Sequence, residues 1–345
     1  MARESPARHY ACAMATAADR RLAARLLCVG FDGPVVNDAV REMIHAGVSG
    51  VILFARNATS HSELAQIALS IKACAAEVDA VKVFVAIDHE GGRVVRLREG
   101  MTPVASMREV GAIGVAEAAR VGEVFARELR SAHIDLDFAP VVDVDSNPEN
   151  PVIGDRSFSR DASIVSTCGG AFIGALQAGG VAACAKHFPG HGDTDVDSHL
   201  ALPRLPHALA RLRELELPPF IAAAKAKVAS IMTAHVVFEA VDAGVPATMS
   251  RTVIEGVLRD EIGFDGVVFS DCLEMCAIAD AMSAGEAAVR AIDAGVDCVL
   301  ICHRLDRQRD ALKTLADAIA TGRLSRARVE QAVARLDAMM KTFVR

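Results

Sequence analysis

Eight short apolar runs recur along this chain, each separated from the next by a stretch with helical spacing. They read LLCVGF (26–31), VSGVILFA (48–55), VKVFVAID (81–88), IDLDFAPVVDV (134–144), VAACAKHF (181–188), ASIMTAHV (229–236), GVVFSD (266–271) and VDCVLIC (296–302). Apolar runs of this length suit strands covered on both faces, as in a parallel sheet flanked by helices. Helical periodicity fills residues 62–76, 114–130, 163–176, 284–292 and 310–320. Residues 209–225 share that spacing, but Pro218 and Pro219 predict a break into two pieces. A further short helix is expected from Thr252, and a last one over 325–343.

Eight strands alternating with about as many helices make a (β/α)8 TIM barrel the simplest α/β architecture. An open doubly wound sheet would announce its first turn with G-x-G-x-x-G, which VGFDGPVVNDA lacks. No linker or internal repeat divides the chain. The expected organisation is an N-terminal arm or helix over 1–22, then a single-domain barrel over 23–345 closed by C-terminal helices.

Composition narrows the function. With 44 acidic against 37 basic residues the formal charge is −7, the wrong sign for nucleic acid or an anionic membrane. No apolar run approaches the ~18 residues that a membrane span needs. Arg3 and Arg8 precede ACAMATAA, but no leucine-rich core follows, so secretion is not expected. Nine cysteines, an odd number, fit reduced thiols in a cytoplasmic protein. The chain is expected to act as a monomer on a small molecule.

In a barrel, polar residues at the carboxyl ends of strands are the candidates for chemistry. The set here is Asp32, Asn57, Asp88, His89, Glu90, Asp143, Asp145, Arg156, Lys186, His187, His199, His235 and Asp271. The densest stretch is KHFPGHGDTDVDSH (186–199), which Pro189, Gly190 and Gly192 keep from being helical. Asp197 and His199, two apart in an extended loop, point the same way. The carboxylate can then hold a protonated imidazole, or the pair is a solvated salt bridge. Asp271 either caps the next helix or serves as a fixed nucleophile or base. Lys186 could form a Schiff base, as in an aldolase-type barrel, or donate hydrogen bonds to hydroxyls.

Metal chemistry is not expected. Asp193, Asp195 and Asp197 start like a calcium loop, but Ser198 and Arg204 occupy the positions that need glycine and glutamate. The spacings of His187, His191 and His199 fit no short metal motif. The pairs Cys272/Cys276 and Cys298/Cys302 have a zinc-compatible spacing in an apolar setting.

The motif KHFPGHGDTDVDSH resembles the β-N-acetylglucosaminidases of glycoside hydrolase family 3. IDHEGGRVVRL (87–97), GDRSFS (154–159), GVILFARN (50–57) and FSDCLEM (269–275) extend that resemblance. It spans about residues 24–300 and is nearest to the single-domain cytosolic members of bacterial cell-wall recycling. It implies a retaining exo-enzyme without a cofactor or metal. The implied substrate is N-acetylglucosamine-1,6-anhydro-N-acetylmuramic acid and its peptides.

By the same resemblance Asp271 is the nucleophile and His199 the acid/base supported by Asp197. Asp88, Arg96, Arg156, Lys186 and His187 would surround the terminal sugar. One departure stands out: Cys272-Leu273-Glu274 occupies the place where the family more often has Asp-Leu-Ser. Phosphorolysis is an alternative outcome on the same machinery. The chain has no tryptophan, and Tyr10 is its single tyrosine. Recognition therefore has to rest on hydrogen bonds from charged groups, which suits a pocket for one terminal residue.

Overall fold

The structure, a computed structural model, describes residues 14–345 apart from 80 and 199. Its strands are β1 (Leu27–Val29), β2 (Gly50–Leu53), β3 (Phe84–Ile87), β4 (Leu136–Asp137), β5 (Ala182–Phe188), β6 (Arg204–Leu205), β7 (Ser230–Thr233), β8 (Val237–Phe238), β9 (Val267–Cys272) and β10 (Cys298–Ile301). Eight of them form a closed barrel in the order β1-β10-β9-β7-β5-β4-β3-β2. Every pairing in it is parallel, and closure sets Leu27 of β1 opposite Val299 of β10. Each of the eight apolar runs supplies one barrel strand. Short β6 and β8 pair separately, outside the barrel.

The barrel interior is a packed core. Phe269 meets Phe84 and Phe138 edge-on, with ring centroids 5.8 Å and 5.3 Å away. Gly50 makes room for this: a Cβ there would lie 2.1 Å from the Phe84 ring. The C-terminal helix Arg326–Phe343 inserts Leu336, Met339 and Met340 into the same apolar cluster and so stops the floor of the barrel.

Beside that floor, buried Asp297 accepts hydrogen bonds from three arginines. Arg259 and Arg328 stand at 2.7 Å and 2.8 Å, and Arg335 at 3.2 Å. Its Oδ2 also accepts from the Val268 amide at 2.9 Å. One carboxylate thus ties the start of β10 to β9 and to the closing helix.

Two details depart from expectation. Residues 209–225 are helical throughout, because a wider π turn at Leu212–Glu216 replaces the expected break. Pro218 and Pro219 follow directly on that π turn, at the first positions of Leu217–Lys225. Of the expected N-terminal arm, residues 1–13 lie outside the described residues. Residues 17–22 open the helix Ala17–Arg25, capped by Thr16 and Asp19 and tied by the Asp19–Arg326 ion pair to the closing helix.

Candidate active site

At the carboxyl end of the barrel lies a cavity of about 420 Å³. Its inner wall is apolar, with Ile52, Met232 and Leu300, and charged groups crowd its sides. Asp88, Arg96, Arg156, Lys186, His187, Asp197 and Asp271 all line it. Those are the expected site residues with one exception: His199 lies outside the described residues.

Along one wall the charges alternate. Arg96 donates to Asp88 at 2.8 Å, and Lys186 donates to the other Asp88 oxygen at 2.8 Å. Lys186 also stands 2.6 Å from Glu90, whose two oxygens accept a bidentate pair from Arg156 at 2.8 Å and 2.9 Å. Burial alone would favour the neutral forms of the carboxyls and of the lysine. For Glu90 it is outweighed by Arg156 and Lys186, which hold the carboxyl well below its ordinary range. For Lys186 burial is likewise outweighed, by Asp88 and Glu90, and the ammonium is held above its usual value. A Schiff-base lysine needs the opposite shift, towards a neutral amine. The aldolase-type reading of Lys186 therefore loses its chemical basis.

Asp143 organises the next wall. Its Oδ2 accepts from His187 Nδ1 at 2.7 Å, and its Oδ1 accepts from the His191 amide at 2.7 Å. The buried Asp143 carboxyl would otherwise rise, but His187 and His191 keep it low. His191 also lines the cavity, but both of its ring nitrogens are engaged within the loop. Its Nδ1 bonds Thr194 and its Nε2 bonds Ser198, which fastens the loop to itself. Burial lowers its pKa to about 4, with His187 adding to the effect. The loop presses close to the residues after β4, because Gly192 would put a Cβ 1.7 Å from the Val144 carbonyl. Asn150 adds a bond to the His191 carbonyl at 2.8 Å.

Asp271 closes the β9 side, and its Oδ1 accepts from the Cys272 amide at 2.7 Å. Burial raises its carboxyl pKa, but His235 and His187, with the Cys272 amide and Lys186, bring it below the usual value. The group is thereby an anion at neutral pH. The loop after β5 crosses to this side, where the Ser198 carbonyl accepts from the Ala277 amide at 3.3 Å. Asp197 and Asp271 thus face one cavity from strands that are not neighbours.

Other rim residues turn out to be supports. Asn57 bonds the Phe31 and Gly33 carbonyls and the Phe54 amide. Asp32 pairs with Arg56, and Asp145 with Arg108 and Arg160. His89 turns away into the helical layer, where its ring meets Phe125 edge-on at 4.7 Å. Three residues matter more than the sequence alone indicated: Glu90, Asp143 and His235. His235 bonds the Cys272 carbonyl at 3.1 Å and Thr248 at 2.8 Å, and so steadies the segment that bears Asp271. Their rim positions were the only signal available, since a strand end does not say whether a side chain contacts substrate or a neighbour.

The glycosyl hydrolase family 3 N-terminal domain model matches residues 23–339. The chain belongs to that family. Relatives of this family 3 chain include β-hexosaminidase A of Pseudoalteromonas piscicida, 37% identical over 319 residues. That match covers 86% of this chain and 53% of the relative, so the chain spans about half of that protein's length. The β-hexosaminidase of Xanthomonas oryzae pv. oryzae is 40% identical over 289 residues, covering 81% and 84% of the two chains.

Among solved structures, a family 3 β-N-acetylglucosaminidase from Paenibacillus sp. str. FPU-7 superposes with TM-score 0.91 at 43% identity. It covers 94% of this chain and 62% of that one. NagZ from Neisseria gonorrhoeae, in complex with N-trifluoroacetyl-D-glucosamine, gives 0.74 at 32% identity, covering 91% and 97%. Among the described residues of this family 3 chain, no helix is long and apolar enough to cross a membrane.

Proposed function

We propose that this family 3 chain is a retaining exo-β-N-acetylglucosaminidase that acts on peptidoglycan fragments in the cytoplasm. The observation that carries the reading is the cavity shared by Asp271 and Asp197, which a wall of alternating charges also lines. In this mechanism the Asp271 carboxylate, kept ionised by its cationic neighbours, attacks the anomeric carbon. His199, supported by Asp197, protonates the leaving oxygen. The bond to the aglycone breaks as the bond to Asp271 forms. Water, deprotonated by the same histidine, then releases the sugar with its configuration retained.

The charged wall supplies recognition. Lys186 has three N–H donors, and Asp88 and Glu90 take two of them. The third, with Arg96 and the Asp88 oxygens, would meet sugar hydroxyls. Asp143 holds His187 Nδ1, which leaves Nε2 as the ring's other polar atom for the substrate. The fixed ion pairs keep these groups in place before the sugar arrives, and less ordering remains to be done on binding.

The decisive experiment uses a 2-acetamido-5-fluoro glycosyl fluoride, which forms a glycosyl-enzyme quickly and loses it slowly. Peptide mass spectrometry should find one sugar on the peptide containing Asp271. A labelled peptide elsewhere, or hydrolysis of N-acetyl-β-glucosaminides with inverted configuration, would overturn the proposal.

A further inference from the structure

Beside Asp271 the cavity holds a second group of ligand-type atoms that the glycosidase chemistry does not use. A Cys272 sulfur, a Glu274 carboxylate oxygen and a His303 ring nitrogen lie within 4.8 Å of one another. All three residues line the cavity. Cys272 and Glu274 are half-buried and His303 is exposed, so a solute can reach them.

The placement is built from two adjacent strands. Cys272 ends β9, Glu274 follows it, and His303 follows β10. Glu274 Oε2 accepts from the His303 amide at 2.6 Å and Oε1 from the Arg304 amide at 3.0 Å. The carboxylate is thus fastened to the segment that carries the imidazole. The Cys272 backbone is held on one side by Asp271 Oδ1 and on the other by His235. Its Sγ is 3.8 Å from Glu274 Oε2. The carboxylate thus accepts from two amides and from the Cys272 thiol, and the His303 imidazole lies within reach of both ligand atoms. Cys272 and Glu274 are also the two positions where the motif departs from the Asp-Leu-Ser that the resemblance leads one to expect.

We propose that Cys272, Glu274 and His303 bind a thiophilic divalent cation, Zn²⁺ foremost, at the cavity wall. Zinc takes sulfur at about 2.3 Å and nitrogen or oxygen at about 2.0–2.2 Å in a tetrahedron, which sets its ligands roughly 3.5 Å apart. The sulfur–oxygen separation therefore needs to close by only a few tenths of an ångström. A sulfur, nitrogen and oxygen donor set disfavours Mg²⁺ and Ca²⁺. On binding, the Cys272 S–H bond breaks, its proton goes to solvent and an S–Zn bond forms. The carboxylate and neutral imidazole bind through lone pairs, and the two backbone amides steady Glu274 from behind. The fourth position opens into the cavity beside Asp271, so an occupied site obstructs the sugar. That obstruction rests on the glycosidase reading, whereas metal binding does not.

The test titrates the reduced, metal-free full chain with Co²⁺ and then displaces it with Zn²⁺. The expected result is one equivalent of Co²⁺ with a thiolate-to-cobalt charge-transfer band that Cys272→Ser abolishes. His303→Ala and Glu274→Gln should each weaken Zn²⁺ by at least about 10-fold. His303 is exposed, so its variant keeps the test open should Cys272→Ser misfold. A missing band, a band that survives in Cys272→Ser, or unchanged Zn²⁺ affinity in both other variants would overturn the site. In parallel, release of 4-nitrophenol from its N-acetyl-β-glucosaminide should fall with Zn²⁺ and recover with a chelator. His303→Ala should need at least about 10-fold more Zn²⁺ for the same loss. Zinc bound with turnover unchanged would refute the obstruction. A metal-free enzyme inactive on that substrate would instead count against the glycosidase reading.

Discussion

The Lys186 ammonium stands 2.6 Å from a Glu90 carboxylate oxygen, with both side chains buried. Neither is stable there alone. Each draws its charge state from the other and from the flanking Asp88 and Arg156, and the result is a rigid polar wall inside an apolar barrel mouth.

Replacing Glu90 by Gln should unsettle this wall. Lys186 and Arg156 would keep their charges but lose a shared partner, at a cost of about 3 kcal/mol in stability. Urea unfolding at neutral pH measures it. The Glu90 carboxyl has a lower pKa folded than unfolded, so its contribution is complete above the unfolded value of about 4.5 and fades as pH falls below it. The wild-type and variant curves should therefore converge in acid.

Asp271→Ala should lower kcat on 4-nitrophenyl N-acetyl-β-glucosaminide by a factor on the order of 10⁴, with a much smaller change in KM. Azide entering the vacated space should restore part of the rate and yield the α-glycosyl azide. Steady-state kinetics and product analysis by NMR check both outcomes.

His191 should make the fold sensitive to mild acid. Its folded pKa of about 4 lies below the ordinary value of 6.5, so the unfolded chain takes up the proton first. Stability from this group is complete above pH 6.5 and declines as pH falls towards 4, by about 3 kcal/mol at most. Glu216 opposes it: burial raises that carboxyl to about 7, and its contribution is lost as pH rises through the same region. The measurement is therefore the difference in urea midpoint between wild type and His191→Gln from pH 7 to pH 4. That difference should shrink as the pH is lowered.

Asp297→Ala should destabilise the fold by about 3–5 kcal/mol, because three buried or half-buried arginines lose their common acceptor. The site lies at the opposite end of the barrel from the cavity. Folded protein should keep a normal KM while its thermal midpoint drops, which calorimetry and kinetics can separate.

The barrel was legible in the sequence because parallel strands buried on both faces leave unbroken apolar runs, and each run holds one strand. The prolines at 218 and 219 misled because composition marks a breaker but not its position within a turn. At the mouth, Asp88, Arg96, Arg156, Lys186, His187, Asp197 and Asp271 line the cavity, whereas the rim candidates Asp32, Asn57, His89, Asp143, Asp145 and His235 do not. What the sequence could not rank was which rim residues brace others. Asp88 and Glu90 are two apart on the same strand exit, yet Arg156 and Lys186, which give Glu90 its importance, come from distant stretches. Asp145 and His89 sit at equivalent strand ends and serve only the scaffold. Such distinctions arise from side-chain directions that exist only once the barrel has closed.

The packed barrel interior, with Phe84, Phe138 and Phe269 interlocked, closes the inner end of the cavity where Met232 and Leu300 line it. On the proposed chemistry, a sugar ring lodged against Met232 and Leu300 finds no passage onward through that packing and leaves towards the barrel mouth. The severed partner must clear that opening before water can come in, and the trapped ring departs last. On that reading, a chamber packed shut at its inner end removes one unit per visit and has no means of threading a polymer through itself.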